Sequence, residues 1–136
     1  MTPKRPIHAS DVEAQTWYAG TDREIHGRAL SDMGGKAKVG VGLLELPPGC
    51  DTKPAHYHTR EEEHLYALEG RATLHLGDER HTLTSGSYVC FPAGSSLHHY
   101  IENDGASVFR YLMIGERLRD DQVVYAPTGA THDRAR

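Results

Sequence analysis

The chain has no apolar run long enough to span a bilayer, which argues against a helical membrane anchor. It has no basic excess either: 15 Lys and Arg stand against 19 Asp and Glu, for a formal charge of −4 and a pI near 6.2. That balance argues against nucleic acid as a partner, which would favour a basic face. Cysteine is scarce, and Cys50 and Cys90 make no disulfide framework. Both thiols are expected to be reduced, and the protein cytoplasmic. The basic residues near the start have no apolar block behind them, so no secretory signal is expected. Helical periodicity is also missing: no amphipathic helix pattern runs between residues 38 and 115. Histidine is what the chain has in plenty, with ten in 136 residues.

That length suits one domain with a single core. The expected division is a core over about 38–115, an N-terminal arm over 1–37 and a C-terminal tail over 116–136. Residues 1–18 read as a polar start ending in Trp17-Tyr18, on a short strand that packs its aromatics on the barrel exterior or on a second subunit. Another short strand is expected within 20–29, and Asp32-Met33-Gly34-Gly35 reads as a turn. Lys38 to Leu46 alternates as a strand should, with Gly40 and Gly42 leaving room for another backbone or a ligand. Strands are further expected over 71–76, 79–83, 88–91, 99–102 and 107–115, broken by Gly77-Asp78, Ser85-Gly86, Pro92-Ala93-Gly94 and Asn103-Asp104-Gly105. Such short strands, with a turn signal every ~8–12 residues, argue for an all-β sandwich or small barrel. Val123 to Tyr125 reads as an edge segment, and the end, T-H-D-R-A-R, as frayed.

The chemistry concentrates in Pro54 to Gly70, P-A-H-Y-H-T-R-E-E-E-H-L-Y-A-L-E-G. His56 and His58 leave the same face of an extended strand. A carboxylate from Glu61, Glu62 or Glu63 would give a third metal ligand, and His98 or His99 a fourth. This stretch resembles the first motif of the cupin superfamily: glycine, then H-x-H, glutamate and glycine, borne here by Gly49, His56, His58, Glu63 and Gly70. Gly49 lies one residue further from His56 than the pattern has it. Gly86, Pro92, Gly94, a histidine and Asn103 resemble the second motif, with a longer loop after Gly94. The resemblance implies a double-stranded β-helix, the jelly-roll or cupin barrel, with a divalent metal inside one mouth.

Glu63 is the preferred carboxylate, because it keeps the interval to Gly70 and the phase of Leu65 and Ala67. Glu62 is the alternative, and Glu61 is expected in a solvated turn. His99 keeps the interval to Asn103 and the phase of Ile101, whereas loop length favours His98. His26, His64, His75, His81 and His132 read as surface or satisfied histidines, with His75 a candidate to line the pocket. Cys90 reads as a small buried hydrophobe, Tyr57 as pointing away from the ligands, and Arg110 as either solvated or an inward anion contact.

Three neutral imidazoles and one carboxylate would leave open positions on iron, manganese, zinc, nickel or copper. The resemblance then implies dioxygenases, isomerases or decarboxylases. The expectation is a metal-dependent enzyme on a small polar molecule that chelates the metal, with oxygenation favoured over isomerisation. A non-catalytic binding or sensing cupin is the alternative, and no catalytic residue beyond the ligands stands out. Open sheet edges point to a homodimer.

Overall fold

In the computed structural model, which describes residues 5–32 and 37–133, the chain forms two antiparallel six-stranded sheets. The strands are β1 (Gln15–Trp17), β2 (Ile25–Ala29), β3 (Val39–Leu46), β4 (His56–His58), β5 (Glu63–Glu69) and β6 (Arg71–Leu76). They continue as β7 (Glu79–Thr84), β8 (Tyr88–Phe91), β9 (His99–Glu102), β10 (Phe109–Glu116), β11 (Gln122–Tyr125) and β12 (Thr131–Asp133). One sheet runs β1-β2-β3-β10-β5-β8, the other β12-β11-β4-β9-β6-β7. Consecutive strands therefore cross between sheets, as β3 to β4, β4 to β5 and β5 to β6 do, and the result is a jelly-roll barrel.

Alternation drives the packing. In β5, Leu65 and Ala67 are buried while Tyr66 between them is exposed. In β6, Ala72 and Leu74 face inward, and in β10 Phe109 and Tyr111 do so, with their rings stacked at 5.1 Å between centroids. Leu46, Ile101 and Phe91 complete this end of the core. Arg110, in the outward phase of β10, lies 3.7 Å from Glu69 and is half-buried, so it is no inward anion contact.

Two motif residues are explained by backbone geometry. Asn103 is fully buried; its side-chain amide donates to the carbonyls of Leu46 (2.8 Å) and Ser107 (2.9 Å), while its oxygen accepts from Gly105 N–H. It thereby fixes the β9–β10 turn against the end of β3. Gly70 joins β5 to β6 at φ +84°, and a Cβ there would lie 2.4 Å from the carbonyl oxygen of Val108.

The flanks differ from expectation. Val123 to Tyr125 is not at an edge: β11 lies between β4 and β12, pairing Val123 with His58 and Tyr125 with His56. The end is not frayed as far as Asp133, because β12 pairs with β11; 134–136 lie outside the described residues. Met33 to Gly35 of the expected turn also lie outside them, and Asp32 ends a short 3₁₀ turn, Leu30–Asp32. Trp17 and Tyr18 are exposed, at 43 % and 65 %. A Cβ on Gly27 would meet Leu44 Cδ2 and the Trp17 ring, each at 2.7 Å, and Leu44 packs against the core. Part of the indole thus lies over Gly27 at the edge of the sheet. It is the preceding segment that covers the outer face: Arg28 donates to the carbonyls of Ala9 and Val12.

Gly70 yields a controlled prediction. Gly86 has a similar φ of +93° but open space where a Cβ would go. Gly86→Ala should cost only the backbone strain of a left-handed residue, about 1–2 kcal/mol. Gly70→Ala must also displace Val108, so its urea midpoint should fall clearly below that of Gly86→Ala. Equal midpoints would contradict the close approach.

Candidate metal centre

The strand pairing brings His56, His58 and Glu63 together, with His99 beside Glu63 but outside the group of mutually close donors. His56 and His58 leave the same face of β4, and His56 stands opposite His99 of β9 in register. Glu63 arrives from the other sheet at the start of β5. It fits because its register partner on β10 is Gly115, where a Cβ would already press on Glu63 Cγ at 3.3 Å. His58 and His99 are only 6 % and 4 % exposed, and the His99 ring stacks on Phe91 at 3.8 Å.

The donor atoms of His56, His58 and Glu63 all lie within 4.8 Å of one another. Glu63 Oε1 is 3.0 Å from His58 Nε2 and 3.9 Å from His99 Nε2. Yet this buried oxygen makes no aligned hydrogen bond. Two ligands on adjacent positions of an ion, each about 2.1 Å from it, stand about 3 Å apart. A buried carboxylate oxygen that faces imidazole nitrogens without hydrogen-bond alignment suits a shared cation better than a shared proton.

The other ring nitrogens set the tautomers. His58 Nδ1 donates to Asp121 Oδ2 at 2.8 Å, and His56 Nδ1 to the carbonyl of Pro54 at 3.2 Å. Both acceptors lack a proton to give, so Nδ1 carries the hydrogen in each ring and Nε2 keeps its lone pair. Asp121 is fully buried, and its Oδ1 accepts from the N–H groups of Arg60 and Glu61. This carboxylate orients a histidine whose other nitrogen faces the centre, an arrangement metal sites use widely.

Glu61 corrects the sequence reading. It is 2 % exposed, not solvated, because residues 116–121 close over it: its Oε2 accepts from Leu118 N–H at 2.7 Å. Glu62 points out of the barrel and pairs with His64. His98 also faces away, its ring edge-on to Tyr57 at 5.0 Å, so Tyr57 does point off the centre. His75 does not line the pocket; it stacks on Tyr100 and meets Glu102 at 2.9 Å. Asp121 was missed altogether. It lies 63 residues from His58 in the chain, and the one signal for it was an acidic pair, Asp120-Asp121, entering an apolar strand.

Charge balance follows from burial. Burial and the nearby His56 ring push the His99 pKa down to about 3, so this imidazole is neutral over the whole physiological range. Burial alone would raise the Glu63 and Asp121 carboxyls, but the imidazoles beside Glu63, and His58 with two backbone N–H groups beside Asp121, hold both below their ordinary values. His58 is raised: burial opposes its charge, and the two carboxylates outweigh that.

Two openings reach the cluster. A cavity of about 270 Å³ is lined by Gly40, Gly42, Leu44, Met113, Gly115 and Arg117, with Glu63 among them. A second, of about 210 Å³, reaches His56 past Arg23, Lys53 and Tyr125. The small residues of β3 and β10 leave the first cavity open, and Gly40 does allow close approach, by the Arg117 side chain.

The family profile of the cupin domain matches residues 42–115, more than half of the chain. The chain is a cupin. Among solved structures it is similar to a sugar phosphate isomerase of the cupin superfamily from Silicibacter pomeroyi, at 22 % identity and a TM-score of 0.83, with 93 % of this chain and 85 % of that one covered. A putative sugar phosphate isomerase from Acidithiobacillus ferrooxidans is 27 % identical, with a TM-score of 0.73 and coverage of 89 % and 82 %. A predicted oxalate decarboxylase from Thermotoga maritima is 21 % identical, with a TM-score of 0.71 and coverage of 84 % and 100 %. No curated protein matches this cupin in sequence. No helix of the described residues is long and apolar enough to cross a membrane.

The buried histidine gives a pH prediction for the metal-free protein. A group whose folded pKa is depressed binds its proton more readily when unfolded, so stability falls as pH drops below the unfolded value. For His99 that loss begins near 6.5 and continues towards 3. Glu63 and Asp121 add to it only below their ordinary values of 4.5 and 3.8. His58, being raised, acts in the opposite sense and above 6.5. The urea midpoint should therefore decline between pH 6.5 and 4.5, and His99→Gln should flatten that segment. A midpoint already constant there in the parent protein would contradict the buried neutral imidazole.

Proposed function

We propose that this cupin is a divalent-metal-dependent enzyme acting on a small, oxygen-rich molecule, with His56, His58, Glu63 and His99 as the ligands. The buried Glu63 oxygen, facing imidazole nitrogens without an aligned hydrogen bond, is the observation that carries the reading. When bound, the ion would act as a Lewis acid on hydroxyl or carbonyl oxygens of the substrate. The chain's own part is to fix the tautomers of His56 and His58 and to keep His99 neutral beside Phe91. It also leaves a cavity over Glu63, floored by glycines, that a small polar molecule can enter. Asp121 is a positioning residue, acting on substrate only through His58.

The sequence favoured oxygenation over isomerisation; the relatives move the weight the other way. Two of the similar structures are named sugar phosphate isomerases and one a predicted oxalate decarboxylase. Isomerisation of an α-hydroxy carbonyl compound needs a polarising ion and a proton acceptor, and no external oxidant. We therefore place isomerisation first and oxygenation second.

A non-catalytic, small-molecule-binding cupin is the second reading, favoured by one observation. Charged groups around the cavity over Glu63 are committed to structural bonds: Glu116 accepts from Glu62 N–H, Glu61 from Leu118 N–H, and Arg117 pairs with Asp32. A homodimer formed across exposed sheet edges is proposed for either reading.

The test begins with elemental analysis of untagged protein beside His56→Ala. Parent protein should hold about one equivalent of divalent metal more than the variant. Loaded protein is then offered hydroxy-aldehydes, hydroxy-ketones and their phosphates in deuterated water. Deuterium at the carbon next to the carbonyl supports isomerisation; oxygen consumption moves the reading to an oxygenase. Binding without either, across the panel, leaves the binding module. If the ligands are right, Asp121→Asn should weaken metal binding by about 10–100-fold in calorimetric titration. Unchanged affinity would remove Asp121 from that role.

A further inference from the structure

β5 sends Glu63 inward and His64 to the opposite face of the sheet, where Glu62, just before the strand, meets it. His64 stands directly across from Cys90 of β8 in the strand register. One oxygen of Glu62, one nitrogen of His64 and the sulfur of Cys90 all lie within 4.8 Å of one another. The sequence reading saw no constellation at His64 and a buried hydrophobe at Cys90. The fold instead gathers a carboxylate, an imidazole and a thiol, with Glu62 exposed and the other two half-buried.

The hydrogen bonds at His64 define how an ion would enter. Its Nε2 lies 2.8 Å from Glu62 Oε2, and its Nδ1 lies 2.6 Å from the Tyr88 hydroxyl. Nε2 and the carboxylate share one proton, at nearly the ~3 Å separation of two neighbouring ligands on one ion. A cation can replace that proton with little movement. The imidazole hydrogen then sits on Nδ1 and donates to the Tyr88 oxygen, which holds the ring as carbonyls and carboxylates hold ligating histidines elsewhere. At Cys90 the S–H proton leaves to water as the sulfur–metal bond forms.

We propose that Glu62, His64 and Cys90 form a second metal site on the outside of the barrel, for a borderline-soft divalent cation such as zinc. Thiolate with imidazole selects zinc or its neighbours over magnesium or manganese. Water completes the coordination on the exposed side. Two of the donors sit on paired strands, so their spacing is set by the sheet before any ion arrives. The site is independent of the barrel centre: it shares no ligand with it and stands if the proposed enzyme does not.

Thiolate ligation separates the two sites spectroscopically, since the barrel centre has no sulfur. Cobalt(II) titrated into the reduced protein should give a near-ultraviolet thiolate-to-cobalt charge-transfer band. That band should vanish in Cys90→Ser and in His64→Gln, and persist in His56→Ala. Zinc should slow alkylation of Cys90 by about tenfold or more, because a bound thiolate is no longer a free nucleophile; the other thiol, Cys50, is buried. No charge-transfer band at saturating cobalt, or a band that survives Cys90→Ser, overturns the proposal. So does an alkylation rate that zinc leaves unchanged.

Discussion

The structure turns on one buried carboxylate. Glu63 leaves one sheet and ends among imidazoles that belong to the other. Burying a carboxylate alone would cost several kcal/mol, so it must be matched by positive charge or by hydrogen bonds. Here the matching groups are ring nitrogens at 3.0 and 3.9 Å with poor hydrogen-bond alignment. Such an arrangement is held by the rest of the barrel and does not hold itself together.

Several features follow from that requirement. Gly115 stands beside Glu63 because a larger residue would crowd its methylene. Phe91 stacks on His99, and burial with the nearby His56 ring keeps that imidazole neutral. Residues 116–121 fold back so that Asp121 reaches His58 and caps the N–H groups of Arg60 and Glu61. The acidic turn before β5 is thus not a solvated loop but the place where the tail is fastened. The tail is part of the centre.

β5 also couples inside to outside. Strand alternation sends Glu63, Leu65 and Ala67 inward and His64 and Tyr66 outward, where Glu62, just before the strand, pairs with His64. A shift of one residue would exchange the faces, moving Glu63 out and His64 in. The pairing of β5 with both β10 and β8 opposes such a slip. One stretch of sequence therefore sends a carboxylate into the barrel and a carboxylate and an imidazole to its exterior, and the sheet keeps the sets apart.

The strands that carry His56, His58, Glu63 and His99 were legible because alternation and turn residues are local. His56-x-His58 on a strand, Glu63 in phase with Leu65, and His99 in phase with Ile101 need only the two-residue period, and their places in the fold follow it. So were the strands over 71–76, 88–91 and 99–102, each bounded by glycine, proline or asparagine. What escaped the sequence depends on contacts between distant segments. The burial of Glu61 and the role of Asp121 come from a tail that returns some 60 residues later, and the placing of the Trp17 ring over Gly27 comes from the pairing of β1 with β2. Pairing His64 with Cys90 required knowing that β8 lies beside β5. Which face a side chain takes is written in the period of its own strand. Which partner it meets there is decided only when the sheets close.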